Sequence, residues 1–347
     1  MIKQNSDYRY NHMTKRNLTI LAVESSCDDT AVAIVKNGRQ VLADLVMRQT
    51  EIHKKFGGIV PEVASREHLS FIFPLIKEAL TKAKLTPKEI DLLAVTAGPG
   101  LRGSLLVGVK TIETLSYLWR KKVVPVNHLQ AHLFAGLLNS GAAWQFPVLA
   151  LVVSGGHTDL VLVKNYLNYK ILGETRDDAA GEAFDKIAKL LNLPYPGGPA
   201  IERAAAKVKK EVQAFLPRPM IGSSDFDFSF AGLKTAVKAA LSKKSRAEIA
   251  VDAQNAIVEV LSSKLLRAYR RFKPKMVLLG GGVSANKLLR RSVQKLLGGK
   301  VSVIIPEFQY SVDNAAMVAA AAYFLKERAC QWYNLSVESD LSFAKVL

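Results

Sequence analysis

Apolar and polar positions recur along this chain in two similar blocks. The β-branched apolar run at 19–23 predicts a strand, the acidic stretch 24–30 a turn and 31–35 a second strand, together a hairpin. The same unit returns at 147–153, 154–158 and 159–163. Later in each block a predicted strand runs into glycines and then a helix: 91–96 into Ala97-Gly-Pro-Gly-Leu-Arg-Gly-Ser104, and 276–279 into Gly280-Gly-Gly-Val-Ser-Ala-Asn286. A strand at 300–305 precedes an apolar helix at 314–326, which is expected to cross back onto the first block. In a helix at 247–271, Ile249, Ala253, Ile257, Val260, Leu261 and Leu265 mark one buried face. Residues 1–16 are polar and unpatterned, so they are expected to form a disordered extension, with Met13 an alternative start. Such repetition is what duplication of one α/β domain leaves. The expected domains are 17–146 plus 313–347, and 147–312, facing a central cleft.

Composition narrows the class. At 347 residues and 49% hydrophobic, the chain can bury a large core and suits two domains better than one. Two cysteines, Cys27 and Cys330, fit a reducing compartment without a disulfide framework. No apolar run approaches the roughly 20 residues needed to cross a bilayer, and no leader pattern opens the chain, so a cytoplasmic protein with no membrane partner is expected. Charge adds more. Lys and Arg number 48 against 30 Asp and Glu, a net +18, which favours a polyanionic partner such as nucleic acid. Basic groups gather at 54–55, 120–122, 207–210, 243–246, 267–273 and 290–291, each of which alone reads as a solvated face.

Three residues form a candidate metal set. His128 and His132 lie four apart, one helical turn, so both imidazoles can reach one divalent ion, and Asp313 would close the site. Two histidines and one carboxylate leave coordination positions open, which suits polarising a substrate oxygen. The alternative places the histidines on a helix surface and Asp313 at a helix start. Asn127 is a candidate N-cap, with Gln130 three positions on in a capping box.

Glycines supply a second layer. Ser154-Gly-Gly-His157 and Gly280–Asn286 each bring backbone amides to a strand end, where phosphates bind in open α/β sheets. Neither matches the P-loop or the dinucleotide fingerprint. Asp178, Glu182 and Asp185 fall at near-helical spacing, a carboxylate stripe suited to substrate hydroxyls, and Tyr195-Pro-Gly-Gly-Pro199 sets a glycine turn beside a helix carrying Glu202 in its first turn. Asp28 and Asp29, in the first hairpin's turn, are candidates for proton handling or substrate orientation; a turn-stabilising role competes.

Several ordered motifs resemble one family. They are Glu24-Ser-Ser-Cys-Asp-Asp-Thr30, Gly57–Glu62 with Ala64–His68, Gly98–Leu101 with Gly103–Gly108, Val153–Thr158, Asp177–Lys186, Tyr195–Pro199, Asp227–Phe230 with Gly232–Ala236, Gly281–Asn286 and Asp313–Met317. From 21 to 317 the chain resembles the tRNA N6-adenosine threonylcarbamoyltransferases, most closely the bacterial and mitochondrial branch, a family earlier read as glycoprotein endopeptidases. The resemblance implies an α/β fold of the duplicated actin-like, Hsp70-like and sugar-kinase-like type. It also implies transfer of the threonylcarbamoyl group from threonylcarbamoyl-AMP to N6 of the adenosine 3′ of the anticodon in tRNAs reading ANN codons, with release of AMP. By the same resemblance one divalent metal per subunit, iron ahead of zinc, sits on His128, His132 and Asp313. The adenylate contacts Val152, Val153, Ser154, Gly155, Gly156, Asp185, Gly198, Glu202 and Asn286. Implied partners are tRNA, an adenylate synthase that supplies the substrate, a homologous subunit lacking the metal site, and a small P-loop ATPase.

Two departures stand out: Gln130 replaces a common acidic residue between the histidines, and Val312 a frequent Thr before Asp313. A zinc peptidase would need Glu beside the first histidine, where Leu129 stands. An actin-like ATPase or sugar kinase would share the fold without needing the three ligands. A non-catalytic scaffold partner would tend to have lost them.

Overall fold

In a computed structural model, which describes residues 17–56 and 58–343, the two blocks form two five-stranded sheets. The expected extension at 1–16 lies outside the described residues. The first sheet is built from β1 (Thr19–Glu24), β2 (Thr30–Lys36), β3 (Gln40–Met47), β4 (Leu92–Gly98) and β5 (Val123–Asn127), with helices α1 (Thr50–Lys54), α2 (Pro61–Ala83), α3 (Arg102–Trp119) and α4 (His128–Phe134) interspersed in the chain. The second contains β6 (Val148–Val153), β7 (Thr158–Asn165), β8 (Asn168–Glu174), β9 (Met276–Gly280) and β10 (Ser302–Ile304). Its helices are α5 (Ala180–Leu190), α6 (Gly197–Ala206), α7 (Ala231–Ala240), α8 (Arg246–Phe272), α9 (Lys287–Leu297) and the short α10 (Phe308–Ser311); α11 (Ala315–Phe324) ends the series.

The duplication read from the pattern holds strand for strand. The sheet orders are β3-β2-β1-β4-β5 and β8-β7-β6-β9-β10, so corresponding strands occupy corresponding places. In each, the first strand pairs antiparallel with the second and parallel with the fourth: Ala22 faces Ala33 and Ala94, and Ala150 faces Val161 and Leu278.

Alternation along the strands divides the core into layers. Leu21 and Val23 face outward onto α2 and α3, while Ile20 and Ala22 face inward onto a core shared with Val148, Ala150 and Val152 of the second sheet. Between the sheets runs α11, whose residues 315–322 are all fully buried; a helix apolar all round belongs in such a place. The expected return of this helix onto the first sheet is therefore met. On the outer face of the second sheet, α8 buries all six of the residues read as its inner face. Ser245 and Glu248 close a reciprocal capping box at its start.

Among the described residues, no helix is long and apolar enough to cross a membrane.

Candidate metal centre and substrate cleft

The metal set comes together because β5 and the segment after β10 end at the same place. Asn127, the last residue of β5, accepts hydrogen bonds from the backbone amides of Leu129 (2.9 Å) and Gln130 (3.3 Å), which starts α4 and fixes the direction of His128 and His132. The N-cap reading holds, but the capping box does not form: Gln130 Nε2 donates instead to the Phe343 carbonyl at 2.9 Å. Asn314, the N-cap of α11, accepts from the Met317 amide, and Asp313 precedes it. Asp313 Oδ1 lies 3.5 Å from His128 Nε2 and 3.3 Å from His132 Nε2. One ligand atom from each of the three residues falls within 4.8 Å of the others, a group that can hold a metal ion.

The donor chemistry fits such an ion. His132 is fully buried; its Nδ1 makes no hydrogen bond, and its Nε2 faces the Asp313 carboxylate at 3.3 Å. An orphaned buried imidazole nitrogen is costly unless something else takes its lone pair. His128 has the support expected behind a ligand: Nδ1 lies 3.0 Å from Glu24 Oε2 and 3.2 Å from Ser26 Oγ. Glu24 is itself held by the Thr96 hydroxyl (2.5 Å) and the Ser26 amide (2.6 Å). Burial alone would depress the His128 imidazole, but the Glu24 and Asp313 carboxylates outweigh it and hold the ring well above its ordinary value. At His132 burial dominates and the ring stays below its usual range. Glu24 was not singled out from the pattern, although a carboxylate closing an otherwise apolar strand is a signal that could have found it.

The acidic turn lies in the same field. Asp29 is pushed up to about 7 by burial and then by the charges of Asp28 and Asp313, with Arg48 Nε at 3.9 Å opposing. Asp28 is raised by burial and by Asp313. His157, also not singled out, is held down to about 4 by burial and then by the neighbouring His128 and His132.

Around the glycine turns the adenylate candidates divide. A Cβ at Gly155, Gly156 or Gly198 would meet nothing within 4 Å, so these backbones border open space. The side chains of Val152 and Val153 are core, and the Val153 carbonyl packs 2.4 Å from where a Cβ on Gly281 would stand. Ser154 Oγ accepts from the His157 amide at 3.2 Å, closing the turn. Asp185 accepts from the Gly197 amide at 2.6 Å, and burial raises its carboxyl against that bond. Glu202 accepts from the Lys287 amide at 2.9 Å, while Asn286 caps α9 and donates to Gln254 at 3.1 Å.

Two local expectations need correction. Gly197 and Gly198 open α6 themselves, which moves Glu202 from the helix's first turn to its second. Asp178 lies ahead of α5 and so shares no helix stripe with Asp185, and both Asp178 and Glu182 pair with Lys186, at 2.6 and 2.9 Å.

Comparison with known proteins agrees with the resemblance. A family model described as tRNA N6-adenosine threonylcarbamoyltransferase matches residues 40–320. A relative of that name from Thermomicrobium roseum is 44% identical, with 90% of this chain and 93% of the relative covered. One from Staphylococcus epidermidis is 44% identical, covering 94% and 95%, and one from an Anaeromyxobacter species 46%, covering 90% and 96%. Among solved structures, HypF from T. kodakarensis superposes with a TM-score of 0.63 at 16% identity over 90% of this chain and 49% of that one. Component A of the Acidaminococcus fermentans (R)-2-hydroxyglutaryl-CoA dehydratase gives 0.51 at 17%, over 90% and 98%. At such identities these two speak for the two-lobed α/β fold alone. The family match and the curated relatives span most of the chain, and on them it belongs to the tRNA N6-adenosine threonylcarbamoyltransferase family.

Proposed function

We propose that this chain moves the threonylcarbamoyl group from threonylcarbamoyl-AMP onto N6 of the adenosine 3′ of the anticodon in tRNAs reading ANN codons, releasing AMP. The observation that carries this reading is the convergence of His128, His132 and Asp313, with an orphaned buried imidazole nitrogen among them, in a chain of that family. The working lobes are 17–146 with 313–347, and 147–312.

The mixed anhydride is already activated, so no covalent protein nucleophile is needed. His128, His132 and Asp313 hold one divalent metal, iron ahead of zinc. Bound there, it supplies a Lewis acid that offsets negative charge on substrate oxygens. The backbone from Val152 to Gly156, with Gly198, borders the phosphate and ribose, and Asp185, Glu202 and Asn286 fix the surrounding turns and helix starts. As N6 bonds to the carbamoyl carbon and the carbon–oxygen bond to AMP breaks, the amine must shed a proton. Asp29, in the acidic turn of the first hairpin, is the group to accept it, with Asp28 orienting the substrate. A homologous subunit lacking the metal site and a small P-loop ATPase complete the assembly, in the cytoplasm.

Incubation with threonine, bicarbonate, ATP, an adenylate synthase and tRNA, followed by nucleoside mass analysis, tests the reading. Threonylcarbamoyladenosine is the expected product. ATP turnover without tRNA and without that product would instead favour an ATPase or kinase.

A further inference from the structure

The first lobe carries an aromatic corner at the end of its sheet away from the metal centre. Tyr117, Leu118 and Tyr333 are 65%, 64% and 66% exposed, and Trp332 37%. The Tyr117 and Trp332 rings stand 5.8 Å apart at 78°, and those of Trp332 and Tyr333 5.5 Å apart at 81°. Backbone geometry holds them together. α3 stops at Arg120, whose φ of 55° turns the chain sharply, and Val123 exchanges two hydrogen bonds with Cys330, at 3.0 and 2.8 Å. That bridge pins the chain two residues before Trp332 beside the end of α3.

Cations follow α3 directly in the chain. Arg120 and Lys122 are exposed, Lys121 Nζ donates to the Lys88 carbonyl at 3.2 Å, and Lys88 is exposed as well. Single exposed apolar residues are ordinary; three exposed aromatics in edge-to-face contact with one another are not. Protein interfaces are enriched in Tyr, Trp and Arg but depleted of Lys, so the lysines here tell against one. Aromatic faces beside Arg and Lys match the stacking and phosphate contacts of an RNA strand instead. The place fits too. β5 starts at Val123 and hands directly to His128, so the corner and the metal centre are separated along the strand by five residues, about 16 Å at the usual rise.

We infer that this corner is an RNA-docking surface, which stacks unpaired nucleotides of the same tRNA whose adenosine enters the cleft. The inference rests on the proposed function, and its test separates the two. Full-length protein is compared with Tyr117→Ala/Tyr333→Ala and with Arg120→Gln/Lys122→Gln, each checked for folding by circular dichroism, in filter binding of unmodified tRNA across a salt series and in modification kinetics. The aromatic pair is expected to weaken tRNA binding about tenfold or more at fixed salt. The charge pair is expected to flatten the dependence of log affinity on log salt by about 1.4 to 1.8. KM for tRNA should rise in both, with kcat and KM for the adenylate unchanged. Unchanged tRNA affinity and slope in both variants overturns the inference. So does a change in sedimentation mass with tRNA binding intact, which would make the corner a protein contact. Wild type that binds tRNA through these residues but makes no threonylcarbamoyladenosine sinks the proposed function and leaves the docking surface standing.

Discussion

His128 and His132 share a helix and a ligand set, yet their surroundings differ. His128 leans on Glu24 and Ser26, whereas His132 has no such support behind it and faces Asp313 and the edge-on His128 ring. His132→Ala should therefore lose the metal and abolish transfer, measured by elemental analysis and product assay. The variant should stay folded, with a modest loss of melting temperature because the ring is fully buried rather than exposed to the cleft. Full activity in it would remove His132 from the site. Glu24→Gln tests the layer behind: it keeps the size and the bond from Thr96 but not the charge that steadies His128. Metal affinity should fall by about 10- to 100-fold, read by competition with a chelator. Unchanged affinity would leave Glu24 a purely structural residue.

The paired strands β7 and β8 carry a feature with no partner to explain it. Asp159 is 6% exposed, faces Glu174 across the ladder, and its Oδ2 is buried without a hydrogen bond. Burial, then the Glu174 charge, pushes its carboxyl up to about 7. The folded protein thus holds a proton that the unfolded chain releases near pH 4. Stability from this group is full below that point and is lost as pH rises through about 7. Asp159→Asn cannot ionise, so its melting temperature should gain on wild type between pH 5 and pH 8.5, by a margin corresponding to about 2 to 4 kcal/mol at the upper end. An equal difference at both pH values would mean that Asp159 ionises normally in the folded state.

Across the whole molecule, the charge of +18 does not act as a set of interchangeable cations. The group 267–273 illustrates the point. Arg267 is built into the second lobe, donating to the Ser223 and Asp225 carbonyls and stacking 5.0 Å from the Phe226 ring, so the expectation that it belongs to an exposed cluster is corrected. Arg270 and Arg271 are exposed. Arg267→Gln should lower thermal stability by about 1 to 3 kcal/mol, because it strips a charged donor from two carbonyls. Arg270→Gln/Arg271→Gln should leave the melting temperature within about 0.5 kcal/mol of wild type. Calorimetry on both variants decides this, and equal stability would return Arg267 to the solvated surface.

Much was legible in the residues themselves because it is local or periodic. Hairpins, the strand-glycine-helix units, the buried face of α8 and the Asn127 cap all follow from side-chain alternation, helical spacing and short-range hydrogen bonding. The two-block order also announced the duplication, since each block repeats the same sequence of elements. His128 and His132 could be paired by their spacing of four. Other features depend on groups far apart in the chain and were decided only by folding. Glu24 meets His128 across 104 positions, Lys186 pairs with Asp178 and Glu182, and Gln130 turns to Phe343 across 213. Burial was likewise invisible: it leaves Asp159 without a partner and fixes Arg267 in place. Periodicity tells which side of an element faces inward, but only the assembled molecule determines which charge, amide or ring it meets there.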